Sequence, residues 1–190
     1  MKKVLIFPSY LVGPNTTLLA DQYYLYGSLY TRVYEGRKPF LVSMASKKII
    51  DFTLKHHGSN LRGAIESAKF LLGKKYMCPI IVNPVQNICM LRLYSPAQGI
   101  HIWFNLDHIW KADRINNKTV VILIHGFSIE VDLRLASLNK RLDKARELKR
   151  ISRDNGNSQI PIDYKPENLP LITLEENGFY NFNILEDEQE

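Results

Sequence analysis

The sequence predicts a β-rich α+β domain: a mainly antiparallel sheet, an early pair of short helices and a basic helix toward the C-terminus. Three observations carry that expectation. Short apolar runs, several with period-two alternation, recur between Gly, Pro and Asn turns. Residues 46–73 switch to helical spacing broken once by Gly58-Ser59-Asn60. From Ala136 the spacing is helical again, now rich in Lys and Arg.

In chain order, Val4–Phe7 reads as a short strand stopped by Pro8, and residues 8–22, with Gly13, Pro14 and Asn15, as an irregular connection. SLYTRVY (28–34) alternates: Leu29, Thr31 and Val33 face one way, Tyr30, Arg32 and Tyr34 the other. The second set reads as cross-strand aromatic packing or as a surface on which bases stack. FLVSM (40–44) is another strand. Ser46 is expected to cap a helix carrying Ile49, Ile50, Thr53 and Leu54, with Gly58 as its left-handed stop. Ser59 or Asn60 restarts a second, with Leu61, Ala64, Ile65, Ala68 and Leu72 in register and Gly73 at its end. PIIV (79–82), NICMLRL (87–93), IHIWF (100–104), TVVILI (119–124) and SIEVDLRL (128–135) are strands, the last two a hairpin across His125-Gly126. The last helix carries Leu138, Leu142 and Ala145, with Leu148 at the stripe's edge, and ends at Asp154-Asn155-Gly156-Asn157.

The chain of 190 residues, 45% apolar and 23% charged, has ordinary globular composition and length for one domain with its own core. The expected domain is 1–154, followed by an extended, Pro-containing, acidic arm, 155–190. The two cysteines, Cys78 and Cys89, sit in strand-like apolar contexts and read as reduced core thiols. The apolar run in MKKVLIFP is too short for a signal peptide, and no window reaches the roughly 18 apolar residues of a membrane helix, so the cytoplasm is the expected location. Net charge is +6, unevenly spread: residues 163–190 carry −7, and residues 1–162 carry +13. A body that basic favours a polyanionic partner.

No reactive centre emerges. His56 and His57 are adjacent on a helix, point about 100° apart and cannot easily share one metal. His101, His108 and His125 are scattered, and neither a phosphate loop nor a nucleophile elbow is present. No catalytic residue, metal or cofactor is assigned. KKIIDFTLKHHGSNLRGA (47–64) reads instead as a capped helix and turn that presents charge. Its surroundings supply Lys55, Arg62, Lys69, Lys74 and Lys75; the last helix supplies Lys140, Arg141, Lys144, Arg146, Lys149, Arg150 and Arg153. In that helix the apolar stripe gives way at Lys149 and Arg153, so its second half is expected to be basic nearly all round. Both sets are expected on one side of the fold as DNA contacts. The alternative is a protein-interaction module whose basic helix docks an acidic partner.

An ordered series of segments adds a family. KKIIDFTLKHHGSNLRGA resembles the helix and Gly-Ser turn of ComK-type competence transcription factors; CPIIVNP (78–84), IHIWFNLDHI (100–109), TVVILIHGFSIEVDL (119–133) and QIPIDY (159–164) resemble its later segments. Order and spacing agree over about residues 47–165. The resemblance implies a transcription activator of DNA-uptake genes. It would bind paired A/T-rich boxes of double-stranded DNA, largely through the minor groove, as a homodimer or higher multimer, under the control of a proteolysis adaptor and without a membrane. This chain departs from the pattern at three places. His56-His57 stands where the family often has an aromatic, Gly63-Ala64-Ile65 where it often continues Gly-Arg-Lys, and Leu93-Tyr94-Ser95-Pro96 where it has Phe-Pro-Thr.

Overall fold

Alternating side chains give the main sheet two apolar faces, and the architecture follows from covering both. The computed structural model describes residues 5–73, 78–96 and 99–156. The strands are β1 (Ile6–Phe7), β2 (Thr16–Tyr23), β3 (Leu29–Glu35), β4 (Lys38–Val42), β5 (Ile80–Asn83), β6 (Ile88–Ser95), β7 (Ile100–Asn105), β8 (Ile109–Ile115), β9 (Lys118–Leu123) and β10 (Phe127–Val131). The helices are α1 (Ser46–His56), α2 (Leu61–Leu72) and α3 (Leu135–Gly156). Seven strands pair in the order β1-β4-β3-β2-β7-β6-β5, all antiparallel except β1 with β4. Strands β10-β9-β8 form a second, antiparallel sheet.

On one face of the large sheet, Leu19, Val33, Val42, Met90 and Trp103 receive Ile49, Ile50 and Leu54 of α1. On the other, Leu18, Cys89, Leu91 and Phe104 meet Val121, Leu123 and Val131 of the small sheet and Leu138, Leu142 and Ala145 of α3. Helix α2 reaches the β5 edge, where its Ala68 and Leu72 pack on Leu148 of α3. The protein is thus β-rich α+β, as expected from the sequence. No disulfide joins the cysteines: Cys78 is half-buried, and burial pushes the Cys89 thiol up to about 12. Among the described residues no helix is long and apolar enough to cross a membrane.

Local expectations are corrected at four places. The connection read over 8–22 is irregular only as far as Asn15; Thr16–Tyr23 is β2, with neighbours on both sides. Its Leu18 and Leu19 are both fully buried, one in each core, so the strand lacks the alternation that betrays a half-solvated one. Strand β8 went unread because it is largely exposed and its Ile109, Trp110, Ala112 and Ile115 do not alternate with polar residues; Asn116 (φ +49°) and Asn117 (φ +64°) turn it into β9. The strand read over 128–135 stops at Val131, where a short turn leads into α3, which ends at Gly156 within the expected stop. Ser46 is not the cap of α1, because its backbone is already helical. Asp21 of β2 accepts from its N–H (2.8 Å), while its Oγ accepts from Trp103 Nε1 (3.1 Å). Beyond Gly156, the expected C-terminal arm lies outside the described residues.

Candidate nucleic-acid interface

The two early helices are fixed as a pair by their termini. Asp21 holds the start of α1 to the sheet and also accepts from the His101 N–H (3.1 Å). Gly58, at φ +76°, supplies the left-handed turn that ends α1. Asn60 caps α2 by accepting from the Gly63 N–H (2.9 Å). Asp51 of α1 accepts from the Leu61 N–H (2.9 Å), clamping one helix to the other. That bond, with the one from Lys55, holds the Asp51 carboxyl below its ordinary value.

Between the helices lies a groove of about 810 Å³. Met44, Phe52, Leu61 and Ile65 form its apolar lining, and Lys47, Lys48, Lys55, Arg62 and Lys69 its cations. Two carboxylates join them: Asp51 pairs with Lys55 (2.9 Å) and Glu66 with Arg62 (3.0 Å). Lys47, Lys48 and Lys69 form no ion pair among the described residues. Lys47 and Lys48 sit in the first turn of α1, which has no acidic residue, where the helix dipole opposes positive charge by about 0.3–1 kcal/mol each. Folding alone gives no reason for two lysines there. Sequence alone assigns no contact to this Lys-Lys pair. The signal was two cations opening a helix with no acid nearby.

His56 and His57 are exposed at the end of α1, with the His56 ring edge-on to Phe52 at 4.7 Å. Among the described residues no three metal-ligating groups converge. Lys74 and Lys75 lie outside the described residues.

The basic set of α3 is arranged differently. Lys144 pairs with Glu147, Arg146 with Asp143 (2.8 Å), Lys149 with Asp107, and Arg150 with Asp154 (3.1 Å), with Arg153 3.6 Å from the same carboxylate. Arg141 is half-buried in a cleft beside Tyr94, Glu130 and Asp132, and burial, then Arg92, lowers its pKa. Lys140 is exposed and forms no ion pair among the described residues. Exposed pairs of this kind contribute about 0–1 kcal/mol and exchange readily for a phosphate, so pairing alone does not remove these groups.

Position separates the two sets. Helix α1 packs on one face of the large sheet and α3 on the other, while α2, which carries Arg62 and Lys69, packs on α3 at the β5 edge; only the α1–α2 cations line one groove. The second half of α3 is not basic all round. Leu148 is 1% exposed, because α2 comes to the sheet edge and covers it with Ala68 and Leu72. That contact is between residues distant in sequence and invisible to a helical wheel.

A family model described as ComK protein matches residues 7–156, most of the chain. No curated protein and no solved structure matches it.

Proposed function

This chain belongs to the ComK family, of competence-type transcription factors, and on that premise we propose that it binds A/T-rich double-stranded DNA through the α1–α2 surface. The observation that carries the reading is the cation cluster Lys47, Lys48, Lys55, Arg62 and Lys69 on one rigid helix pair, three of them without an ion partner among the described residues. Phosphate neutralisation by such a cluster supplies affinity. Discrimination for A/T sequence follows if Arg62, exposed at the α1–α2 turn, enters a narrow minor groove of high negative potential. Paired boxes match a two-fold multimer that presents two such surfaces. The contact is assigned to α1 and α2 because five of the seven α3 cations, Lys144, Arg146, Lys149, Arg150 and Arg153, already lie in ion pairs. Activation of DNA-uptake genes and adaptor control belong to the same proposal.

The test is retention on labelled A/T-rich and G/C-rich duplexes by three proteins: wild type, Lys47→Ala/Lys48→Ala/Arg62→Ala, and Lys140→Ala/Arg146→Ala/Arg150→Ala. The first variant should lose at least tenfold in affinity and the second should bind as wild type. The reverse result moves the interface to α3. A wild type with no A/T preference removes the minor-groove reading, and one with no affinity removes DNA.

A further inference from the structure

We propose that the α1–α2 groove is also a docking site for an acidic, amphipathic helical peptide of about three turns, and that this peptide displaces DNA. Peptide binding stands independently of the DNA reading; only the displacement rests on it.

The apolar lining of the groove motivates the proposal. Leu61 and Ile65 also pack on the core, but a cluster that met phosphates alone would need no half-exposed Phe52, which lies outside it. Leu61 and Ile65, one turn apart on α2, pack on the core along one side and leave the other partly uncovered in the groove. Phe52 projects from α1 into the same groove. Apolar positions one turn apart on the walls of a groove are what the i, i+3, i+4 and i+7 anchors of an incoming helix require. The length is set by α1: 11 residues at 1.5 Å per residue, about 16 Å or three turns.

Charge selects the sign of the partner. Five cations and two carboxylates line the groove, and both carboxylates are engaged, Asp51 by Lys55 and the Leu61 amide, Glu66 by Arg62. A peptide whose apolar stripe is flanked by Asp and Glu meets Lys47, Lys48 and Lys69 without breaking any existing pair. A basic peptide meets repulsion. The described helices of a second copy do not fit, since α1 and α3 are basic and α2 sets Arg62 and Lys69 against Glu66 alone. DNA and peptide would draw on the same lysines, so occupancy by one excludes the other.

The test uses the full chain and fluorescein-labelled 14-residue probes, followed by anisotropy. One probe carries Leu and Phe at i, i+3, i+4, i+7 and i+11 among Glu residues; the other has the same composition with the apolar residues scattered around the helix. The amphipathic probe should bind at least tenfold more tightly than the scattered one. It should lose at least tenfold against Ile65→Glu and against Phe52→Ser, with far-ultraviolet dichroism confirming that each variant is folded. Equal binding of the two probes would reduce the effect to charge and overturn the proposal, as would full affinity in both variants. So would a wild type that is dimeric by sedimentation and becomes monomeric in Ile65→Glu, because the groove would then belong to a second copy. If the amphipathic probe binds but no duplex is retained, the docking site stands and the DNA reading falls. If duplex is retained and the probes are not distinguished, the docking site falls alone.

Discussion

Raising salt from 50 to 200 mM gives a sharp reading of how many cations meet DNA, because each phosphate neutralised contributes about −0.9 to the slope of log affinity against log salt. The α1–α2 surface offers five groups: Lys47, Lys48, Lys55, Arg62 and Lys69. Five contacts give a slope of about −4.5 and, over this fourfold change, a loss of about 500-fold. If the seven cations of α3 joined them, the slope would approach −11 and the loss about three-millionfold, so the helix pair alone and the helix pair with α3 are far apart on this scale. Fluorescence anisotropy on an A/T-rich duplex at four salt concentrations measures the slope. Lys47→Ala/Lys48→Ala should make it about 1.8 shallower. A wild-type slope shallower than about −2, or one as steep as −9, would refute the assignment to a single helix pair. So would a double variant whose slope equals that of the wild type.

Three further perturbations test the framework that holds the surface. Asp21→Ala strands the buried N–H of Ser46 and removes the acceptor of the His101 N–H, so it should cost about 2–4 kcal/mol in urea unfolding; a cost under 1 kcal/mol would show that Asp21 does not anchor α1. His108 is held below its ordinary value of 6.5, chiefly by burial and further by His125, against the Pro14 carbonyl and Asp107, so the folded state favours the neutral ring. The unfolded chain takes up that proton first, so the associated stability is full above about pH 6.5 and is lost as pH falls through the lower folded value. His101, lowered by burial, Lys47 and Arg92, acts in the same direction. The urea midpoint should therefore drop between pH 7.5 and 5.5, and His108→Gln should reduce the drop; a midpoint that holds or rises contradicts this. Tyr26 is fully exposed at φ +58°, a conformation costly for a side chain, so Tyr26→Gly should raise stability by about 1 kcal/mol; a lower melting temperature would mean the ring makes contacts that offset its strain.

Much of this fold was legible where one side of an element meets water. The alternation of Leu29, Thr31 and Val33 placed β3 correctly, with Thr31 and Val33 fully buried. The spacing of Ile49, Ile50 and Leu54 placed α1, and Gly58, Asn60 and Gly73 marked the ends of the helix pair. What the sequence concealed was long-range. Leu18 and Leu19 are adjacent and both buried, a pattern that makes sense only with cores on both sides of the sheet. Asp21 looked like one more acid in a connection, yet it does the work assigned to Ser46, from a strand far from α1 in sequence. The cations were easy to find and hard to group, since only the packing of α1 on α2 gathers Lys47, Lys48, Lys55, Arg62 and Lys69 around one groove. Lys47 and Lys48 stood in plain view, but nothing short of the groove showed what they line.

The central position of β2 also bears on how the protein is made. It is hydrogen-bonded to β3 on one side and to β7 on the other, and among the described residues these are the only pairings that join the β1-β4-β3 part of the sheet to β7-β6-β5. During synthesis β2 and β3 leave the ribosome together, whereas β7 emerges only after both early helices, β5 and β6. A nascent chain therefore carries an open strand edge through much of its translation, its Leu18 and Leu19 without their later neighbours Phe104 and Trp103. Chaperone dependence and inclusion-body formation should accordingly track the rate of elongation across residues 24–105 more closely than the stability of the finished fold.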